Sequence, residues 1–295
     1  MTDLREQWLI FISTPIYMIL IGGELLLSNW QENNKYTLKD TLFNVYLMFL
    51  NASIDLLFRV FYVCIFYYCY QHKLINWQSG FIYWIALFVT EDFLYYWLHR
   101  FDHEIRFFWA THVTHHSSEQ YNFSVGFRSS VFQPLYRFIY FLPLPFLGFN
   151  PLDILLVYAA TQIWGIFVHT QLIKKMGWLE YILVTPSHHR VHHASNPKYL
   201  DKNMGMFLII WDKLFGTFQS ELDATDYQPI RYGLTKNIDN PNAISIIFHE
   251  WQQLTKDLFQ PNITLKQRFN YLFGPPGYSH DGSRKTSEDM RKDEP

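Results

Sequence analysis

The sequence predicts an all-α membrane protein with about four or five membrane helices and a histidine-rich helical cap. Three observations support this prediction. Aromatic residues make up 19% of the chain, several apolar stretches are long, and ten of the thirteen histidines lie between positions 99 and 193. Aromatic side chains favour membrane interfaces and apolar cavities. The mean hydropathy is nevertheless near zero, so we expect a polar part joined to the membrane part.

The membrane helices are predicted from apolar stretches, because a helix needs roughly 20 such residues to cross a bilayer. The candidates are Trp8–Ser28, Thr41–Tyr70, Gly80–Leu98, Val131–Phe149 and Leu152–Leu172. The sequence Gly148-Phe149-Asn150-Pro151 between the last two indicates a tight turn. This last pair could cross the bilayer or enter it and return on the same side.

Composition divides the chain into four parts. They are an N-terminal membrane helix and loop (1–40), a catalytic domain (41–235), a C-terminal cap (236–277) and a disordered tail (278–295). Disorder is expected because the tail is rich in Ser, Asp, Glu, Lys and Arg. Nucleic-acid binding has no support, since the net charge is −2 and no long basic run occurs.

The charge distribution predicts an integral membrane protein whose site faces the cytoplasm. Lys and Arg are concentrated in 99–137 and 174–295, and such residues favour the cytoplasmic side of a membrane. The membrane would be the inner or plasma membrane in a bacterium and the endoplasmic reticulum in a eukaryote.

The histidines form three motifs. These are H-x-x-x-H at His99 and His103, H-x-x-H-H at His112, His115 and His116, and H-x-x-H-H again at His189, His192 and His193. Residues three and four apart share one face of a helix, so each motif can present its imidazoles to a common centre. Eight imidazoles exceed the four ligands that zinc usually takes. We therefore predict a di-metal site with four or five nitrogen ligands for each ion.

Other histidines are harder to interpret. His169 stands alone, either as a further ligand or as a buried, hydrogen-bonded residue. His188 points away from the face that its neighbours share, which favours an ordinary role. His72, His249 and His280 are expected at the surface.

Carboxylates should offset the charge of two cations and orient the imidazoles. The candidates are Glu91, Asp92, Asp102, Glu104 and Glu119. Glu104 is the strongest candidate, because it follows His103 directly. The stretches 199–203 and 211–216 could frame the site or serve only as turns and packing residues.

The position of the motifs beside apolar stretches suggests what the metals do. Imidazole suits zinc, copper, iron and nickel alike. Oxidation of a lipid C–H bond explains a site at the membrane edge and requires a redox metal such as iron, with O2 as the oxidant. A zinc hydrolase is an alternative, although Arg100 stands where the zincin motif H-E-x-x-H has glutamate. A metal transporter would be expected to place its ligands within the membrane helices.

The three motifs resemble those of the fatty acid hydroxylase / sterol desaturase superfamily. Closer likeness to one branch comes from three stretches, EDFLYYWLHRFDHE, THVTHHSSEQYNFSVGFRSS and TPSHHRVHHASNPKYLDKNMGMFLIIWDKLFGTF. The resemblance covers about residues 40–235.

The resemblance implies a membrane-bound non-haem di-iron monooxygenase. Members of the branch use O2 and a tetrahydropterin such as tetrahydrobiopterin to hydroxylate the ether-linked carbon of an alkylglycerol, which then breaks into a fatty aldehyde and glycerol. The eight motif histidines would be iron ligands, His169 would be a ninth, and Glu104 would be needed for activity, through contact with the pterin. The alternative is a fatty acid or sterol hydroxylase or desaturase supplied by an electron-donor protein.

Overall fold

A computed structural model describes residues 4–30, 36–239 and 241–294 of this protein. Apart from two isolated bridges, these residues contain no β-structure, so the predicted all-α class is confirmed. The helices are α1 (Leu4–Trp30), α2 (Leu38–Gln71), α3 (Phe81–Glu104), α4 (Arg106–His116), α5 (Arg137–Phe141), α6 (Pro143–Phe146), α7 (Pro151–Phe167), α8 (Pro186–His192), α9 (Ile210–Phe215), α10 (Ala243–Leu258), α11 (Leu265–Phe273) and α12 (Ser287–Lys292). Four short 3-10 helices lie at Phe123–Phe127, Gln133–Leu135, Gly177–Tyr181 and Pro197–Tyr199.

Helix α2 is the longest element, with 34 residues. Its first turn is capped by Thr37, whose side chain accepts a hydrogen bond of 3.3 Å from the backbone N–H of Asp40. Within the described residues it is the one helix both long and apolar enough to cross a bilayer. Helix α7 is also apolar but has only 17 residues. The predicted number of four or five membrane helices is therefore not confirmed.

The predicted span Val131–Phe149 is wrong as a continuous helix. The structure breaks it into one 3-10 turn and the short helices α5 and α6. The physical cause is proline, at positions 134, 143 and 145, because proline lacks the N–H that a helix interior needs and clashes with the preceding turn.

Helix α3 lies at the centre of the fold and contacts α4, α5, α6 and α7. Its apolar side chains Leu87 and Leu98 are fully buried and pack with Leu144 of α6 and Ile154 of α7. A single extended residue, Ile105, separates α3 from α4. The two helices therefore turn sharply at the point where the first two histidine motifs lie.

The C-terminal segments cover the outer face of α4. Arg106 at the start of α4 is buried, and its guanidinium pairs with Glu250 and Asp257 of α10, each at 2.7 Å. Asp257 also pairs with Arg284, at 2.8 Å. These ion pairs hold α10 and the chain end against the histidine-bearing helices.

The C-terminal segment differs from the disordered tail that composition suggested. Up to residue 294 it is ordered, and it ends in α12. Arg291 of α12 donates a hydrogen bond of 2.7 Å to the carbonyl oxygen of Leu200. Its charged residues thus have specific partners, which composition alone could not indicate.

Candidate metal centre

Nine histidines converge at one end of the helices, and they are the nine predicted from the sequence. They form two groups in which all potential ligand atoms lie within 4.8 Å of one another. The five-histidine group contains His99, His103, His112, His116 and His192. The four-histidine group contains His115, His169, His189 and His193.

Both H-x-x-H-H motifs are divided between the two groups. In α4, His112 and His116 are four residues apart and share a row along the helix, whereas His115 belongs to the other group. In the second motif His192 joins His112 and His116, while its neighbour His193 joins His115. The rings of His116 and His193 are stacked with centroids 4.4 Å apart. The two groups therefore adjoin, and the motifs hold them together.

Backbone carbonyl oxygens orient several of the imidazoles from outside. In His99 and His115, Nδ1 lies 2.8 Å from the carbonyl oxygen of Met204 and of Arg128, respectively. In His169 it lies 2.6 Å from the carbonyl oxygen of Gly165. In His192 it lies 3.0 Å from that of Lys202. A carbonyl oxygen can only accept, so Nδ1 must carry the proton and donate. The other ring nitrogen, Nε2, is then left with a free lone pair.

The arrangement of these lone pairs fits metal ions. Nε2 of His169 lies 3.0 Å from Nε2 of His189 and 3.1 Å from Nε2 of His193, and the Nε2 atoms of His99 and His112 are 3.1 Å apart. Two ligands at about 2.1 Å from an ion and at right angles to each other would be about 3 Å apart.

Unpartnered ring nitrogens point to the same conclusion. Buried nitrogens without a hydrogen-bond partner among the described residues include Nε2 of His103, His116 and His192. Buried polar atoms are rarely left unsatisfied. A bound cation would satisfy them together.

The pKa of several of these imidazoles is lowered, which favours the neutral form that a metal ligand needs. Burial lowers the pKa of His115 to about 4. In His116, His192 and His193, burial lowers the pKa well below its ordinary value, and neighbouring imidazoles lower it further.

Two aspartates, Asp212 and Asp92, fix the loop that orients His99. Asp212 is buried and accepts hydrogen bonds from the backbone N–H groups of Met204 (2.6 Å) and Gly205 (2.8 Å). Asp92 of α3 accepts from the N–H groups of the loop at 207 and 208, at 2.9 and 3.1 Å. Asp92 is among the carboxylates predicted from the sequence. Asp212 is not, although it lies in the stretch 211–216 that could frame the site.

Among the other predicted carboxylates, Asp102 lies beside the site. It is buried, accepts from Gln133 Nε2 at 2.6 Å, and lies 3.6 Å from Nδ1 of His112. Glu91 is buried deeper in α3, next to Thr161. Glu119 is exposed.

Glu104 does not join the histidines. Its carboxylate pairs with Arg100 at 2.8 Å, its side chain is 41% exposed, and it lines neither of the cavities beside the site. The helix repeat explains this position, because the residue after His103 is turned away from the row of ligands. A role of Glu104 in catalysis and in binding the cofactor stays a prediction.

The other histidines lie outside both groups. His188 is buried, and its Nδ1 lies 3.2 Å from Leu183 O, which agrees with an ordinary role. His72 and His280 are exposed as expected. His249 was expected at the surface, but it is half-buried and lines a cavity.

Two cavities reach the histidines. The outer cavity, of about 730 Å³, is walled by the C-terminal segments and reaches His103, His116, His192 and His193. The inner cavity, of about 110 Å³, lies between α2, α3 and α7 and reaches His99, His112, His115, His169 and His189. Each cavity thus contacts both groups.

Comparison with known proteins agrees with this geometry. Residues 84–217 match the sequence profile of the fatty acid hydroxylase family. The chain is 36% identical over 272 residues to alkylglycerol monooxygenase of Homo sapiens, covering 90% of this chain and 59% of that protein. It is 35% identical over 292 residues to alkylglycerol monooxygenase of Caenorhabditis elegans, covering 94% and 54%. Human lathosterol oxidase is 27% identical over 150 residues, covering 50% and 48%.

The chain thus spans about half to three fifths of the length of these relatives. No solved structure matches it. The family resemblance predicted from the histidine motifs is confirmed. Over residues 84–217 the chain is thus similar to the fatty acid hydroxylase family, and over most of its length it is similar to alkylglycerol monooxygenases.

Proposed function

We propose that the protein is a membrane-bound non-haem di-iron monooxygenase that hydroxylates the ether-linked carbon of an alkylglycerol. One iron would be held by the five-histidine group and the other by the four-histidine group. The observation that carries this proposal is the convergence of nine imidazoles, among which three pairs of Nε2 atoms lie 3.0–3.1 Å apart, in a chain similar to the fatty acid hydroxylase family.

The reaction would insert one oxygen atom of O2 into a C–H bond and reduce the other to water. It needs two electrons and two protons from a reductant. Bound iron would supply the O2 activation, as such cofactors do in general. Because the attacked carbon carries the ether oxygen, hydroxylation gives a hemiacetal, which breaks into a fatty aldehyde and glycerol.

We further propose that the reductant is a tetrahydropterin and that it occupies the outer cavity. The volume of about 730 Å³ would hold a bicyclic molecule. The ring of Trp109 lines this cavity, 5.2 Å from the ring of His103, and offers a surface for stacking. The alternative is that the protein is a fatty acid or sterol hydroxylase or desaturase that receives its electrons from a donor protein. The similarity to lathosterol oxidase supports this alternative.

The chain would lie in the membrane through α2 and neighbouring helices, with the histidine end at the cytoplasmic side. The apolar character of α2 supports the first part. The concentration of Lys and Arg in 99–137 and 174–295 supports the second.

The test is an assay of purified, iron-loaded protein with a labelled alkylglycerol, with and without tetrahydrobiopterin, beside a free fatty acid and a sterol. We expect about two irons per chain and pterin-dependent release of fatty aldehyde. Zinc alone at one ion per chain, without oxidation of any lipid, would contradict the proposal. Oxidation of a sterol or fatty acid, only when a donor protein is added, would favour the alternative.

A further inference from the structure

The inner cavity contains a buried amide without a partner. Gln162 of α7 lines this cavity, and its Nε2 has no hydrogen-bond acceptor among the described residues. An unsatisfied buried donor is destabilising. Because Gln162 lines the cavity, a ligand there with an acceptor oxygen would satisfy this nitrogen.

The wall around Gln162 is polar on several sides. Asn51, Ser129, Gln133 and Arg137 line the same cavity. The guanidinium of Arg137 is held by an ion pair with Asp55 of α2 and lies 4.9 Å from the ring of Tyr158. Arg137 is therefore fixed in place, and a wall with several polar side chains suits a polar group better than an alkyl chain.

The volume of the inner cavity limits the size of the ligand. The volume of about 110 Å³ is far below the 300–1,000 Å³ typical of pockets that enclose a whole drug-sized ligand. It would hold a group of the size of glycerol. The outer cavity is much larger, and two of the charged residues that line it, Arg106 and Glu250, are already paired with each other.

The proposed reaction requires the glycerol group of the substrate to lie close to the metals. In the reaction of the proposed function, the attacked carbon is bonded to the ether oxygen, so the glycerol oxygens lie within a few bonds of it, about 5 Å. The inner cavity contacts five of the nine histidines, from both groups. A head group seated there would place the attacked carbon beside the centre.

We propose that the inner cavity binds the hydroxylated head group of the lipid substrate, and that Gln162 is a specificity-determining residue that donates a hydrogen bond to one of its oxygens. This inference rests on the proposed function. It adds the position of the head group and the residue that recognises it.

The test compares the binding of two lipids to iron-loaded protein in detergent, without O2 or reductant. One is 1-O-hexadecylglycerol, and the other is hexadecyl methyl ether, which lacks the hydroxyl groups. We expect the wild type to prefer the glycerol ether. In Gln162→Leu, loss of one hydrogen bond should reduce this preference about 3–10-fold, mainly by weakening binding of the glycerol ether.

The control is Gln252→Leu, at an exposed glutamine of α10, which should keep the wild-type preference. Gln162→Leu should melt no lower than the wild type without lipid, because its Nε2 has no partner to lose. Equal binding of both lipids by the wild type, or an unchanged preference in Gln162→Leu, would overturn the inference. So would a lower melting temperature with both lipids weakened alike, since that marks a structural role.

These outcomes are separate from failure of the proposed function. The binding preference is measured without turnover. If the bound glycerol ether is not oxidised after O2 and tetrahydrobiopterin are added, the proposed function fails while the assignment of the inner cavity stands.

Discussion

The carboxylate of Asp212 accepts a hydrogen bond of 2.6 Å from the backbone N–H of Met204, whose carbonyl oxygen in turn lies 2.8 Å from Nδ1 of His99. The same carboxylate accepts from the hydroxyl of Thr217 at 2.6 Å. A buried aspartate thus orients a histidine of the five-histidine group through one residue of backbone. Partners of this kind fix the tautomer and direction of a ligand imidazole.

The first prediction concerns Asp212→Asn. Met204, Gly205 and Thr217 donate to the two carboxylate oxygens, and asparagine replaces one of these oxygens by an NH2 group that cannot accept. At least one of the three hydrogen bonds is lost, so the loop should shift and His99 should lose its orientation. We expect metal affinity to fall about 10–100-fold, the range seen when outer partners of metal ligands are changed. Metal titration of the purified protein measures it. Asp226→Asn, at an exposed aspartate, is the control, and equal affinity in both variants would contradict the prediction.

The second prediction uses the division of the last histidine motif. His192→Ala leaves the four-histidine group whole, and His193→Ala leaves the five-histidine group whole. Each variant should therefore retain about one of the two irons that we propose, although the two residues are adjacent in sequence. Elemental analysis gives the iron content. His280→Ala, at an exposed histidine, should keep both irons, and complete iron loss in either cluster variant would show that the two groups do not fill independently.

Helical spacing predicted much of this site from the sequence. The rule that residues three and four apart share a face is local, and it identified eight of the nine histidines that the structure brings together. His169 stands alone in the sequence, and its role as a ninth ligand was implied by the family resemblance. The rule could not show that His115 and His116 separate into different groups. That division depends on how α4 and the segment around His193 face each other, which is a tertiary relationship.

The parts that sequence analysis missed depend on long-range contacts. Asp212 holds the loop at Met204, and that loop meets His99 more than one hundred residues away. The apolar composition of one stretch was also misleading, because single residues decide whether it forms one continuous helix. The prolines at 134, 143 and 145 divide an apolar stretch that was predicted to span the membrane.

The third prediction concerns Glu104, which the family resemblance placed at the catalytic centre. Its carboxylate pairs with Arg100 on a partly exposed face, and such pairs contribute about 1 kcal/mol or less. Glu104→Gln should change iron content and turnover by less than about 2-fold, because a 2-fold change corresponds to less free energy than such a pair contributes at most. A large loss of turnover at full iron content would contradict this prediction and support the role implied by the resemblance. Glu119→Gln, at an exposed carboxylate, is the matched control.

The fourth prediction concerns Gly126, where the 3-10 helix at Phe123–Phe127 crosses α7. A Cβ atom at this position would lie 3.0 Å from Cα of Ile166 and 3.3 Å from Nδ1 of His169. The first contact is with backbone, which cannot move aside without shifting α7. Gly126→Ala should therefore displace His169, whose Nδ1 donates to the carbonyl oxygen of Gly165.

The expected result is a loss of iron from the four-histidine group and a lower melting temperature, because overpacking of a tight contact costs about 1–3 kcal/mol. Iron content and thermal unfolding measure the two effects. Gly177→Ala separates a local clash from a general effect of losing glycine. Unlike Gly126, Gly177 has a positive φ, of 61°, and a Cβ atom there would meet no other atom within 4 Å. That variant should lose some stability through backbone strain and keep both irons, whereas equal iron content in the two variants would mean that close packing at Gly126 does not position His169.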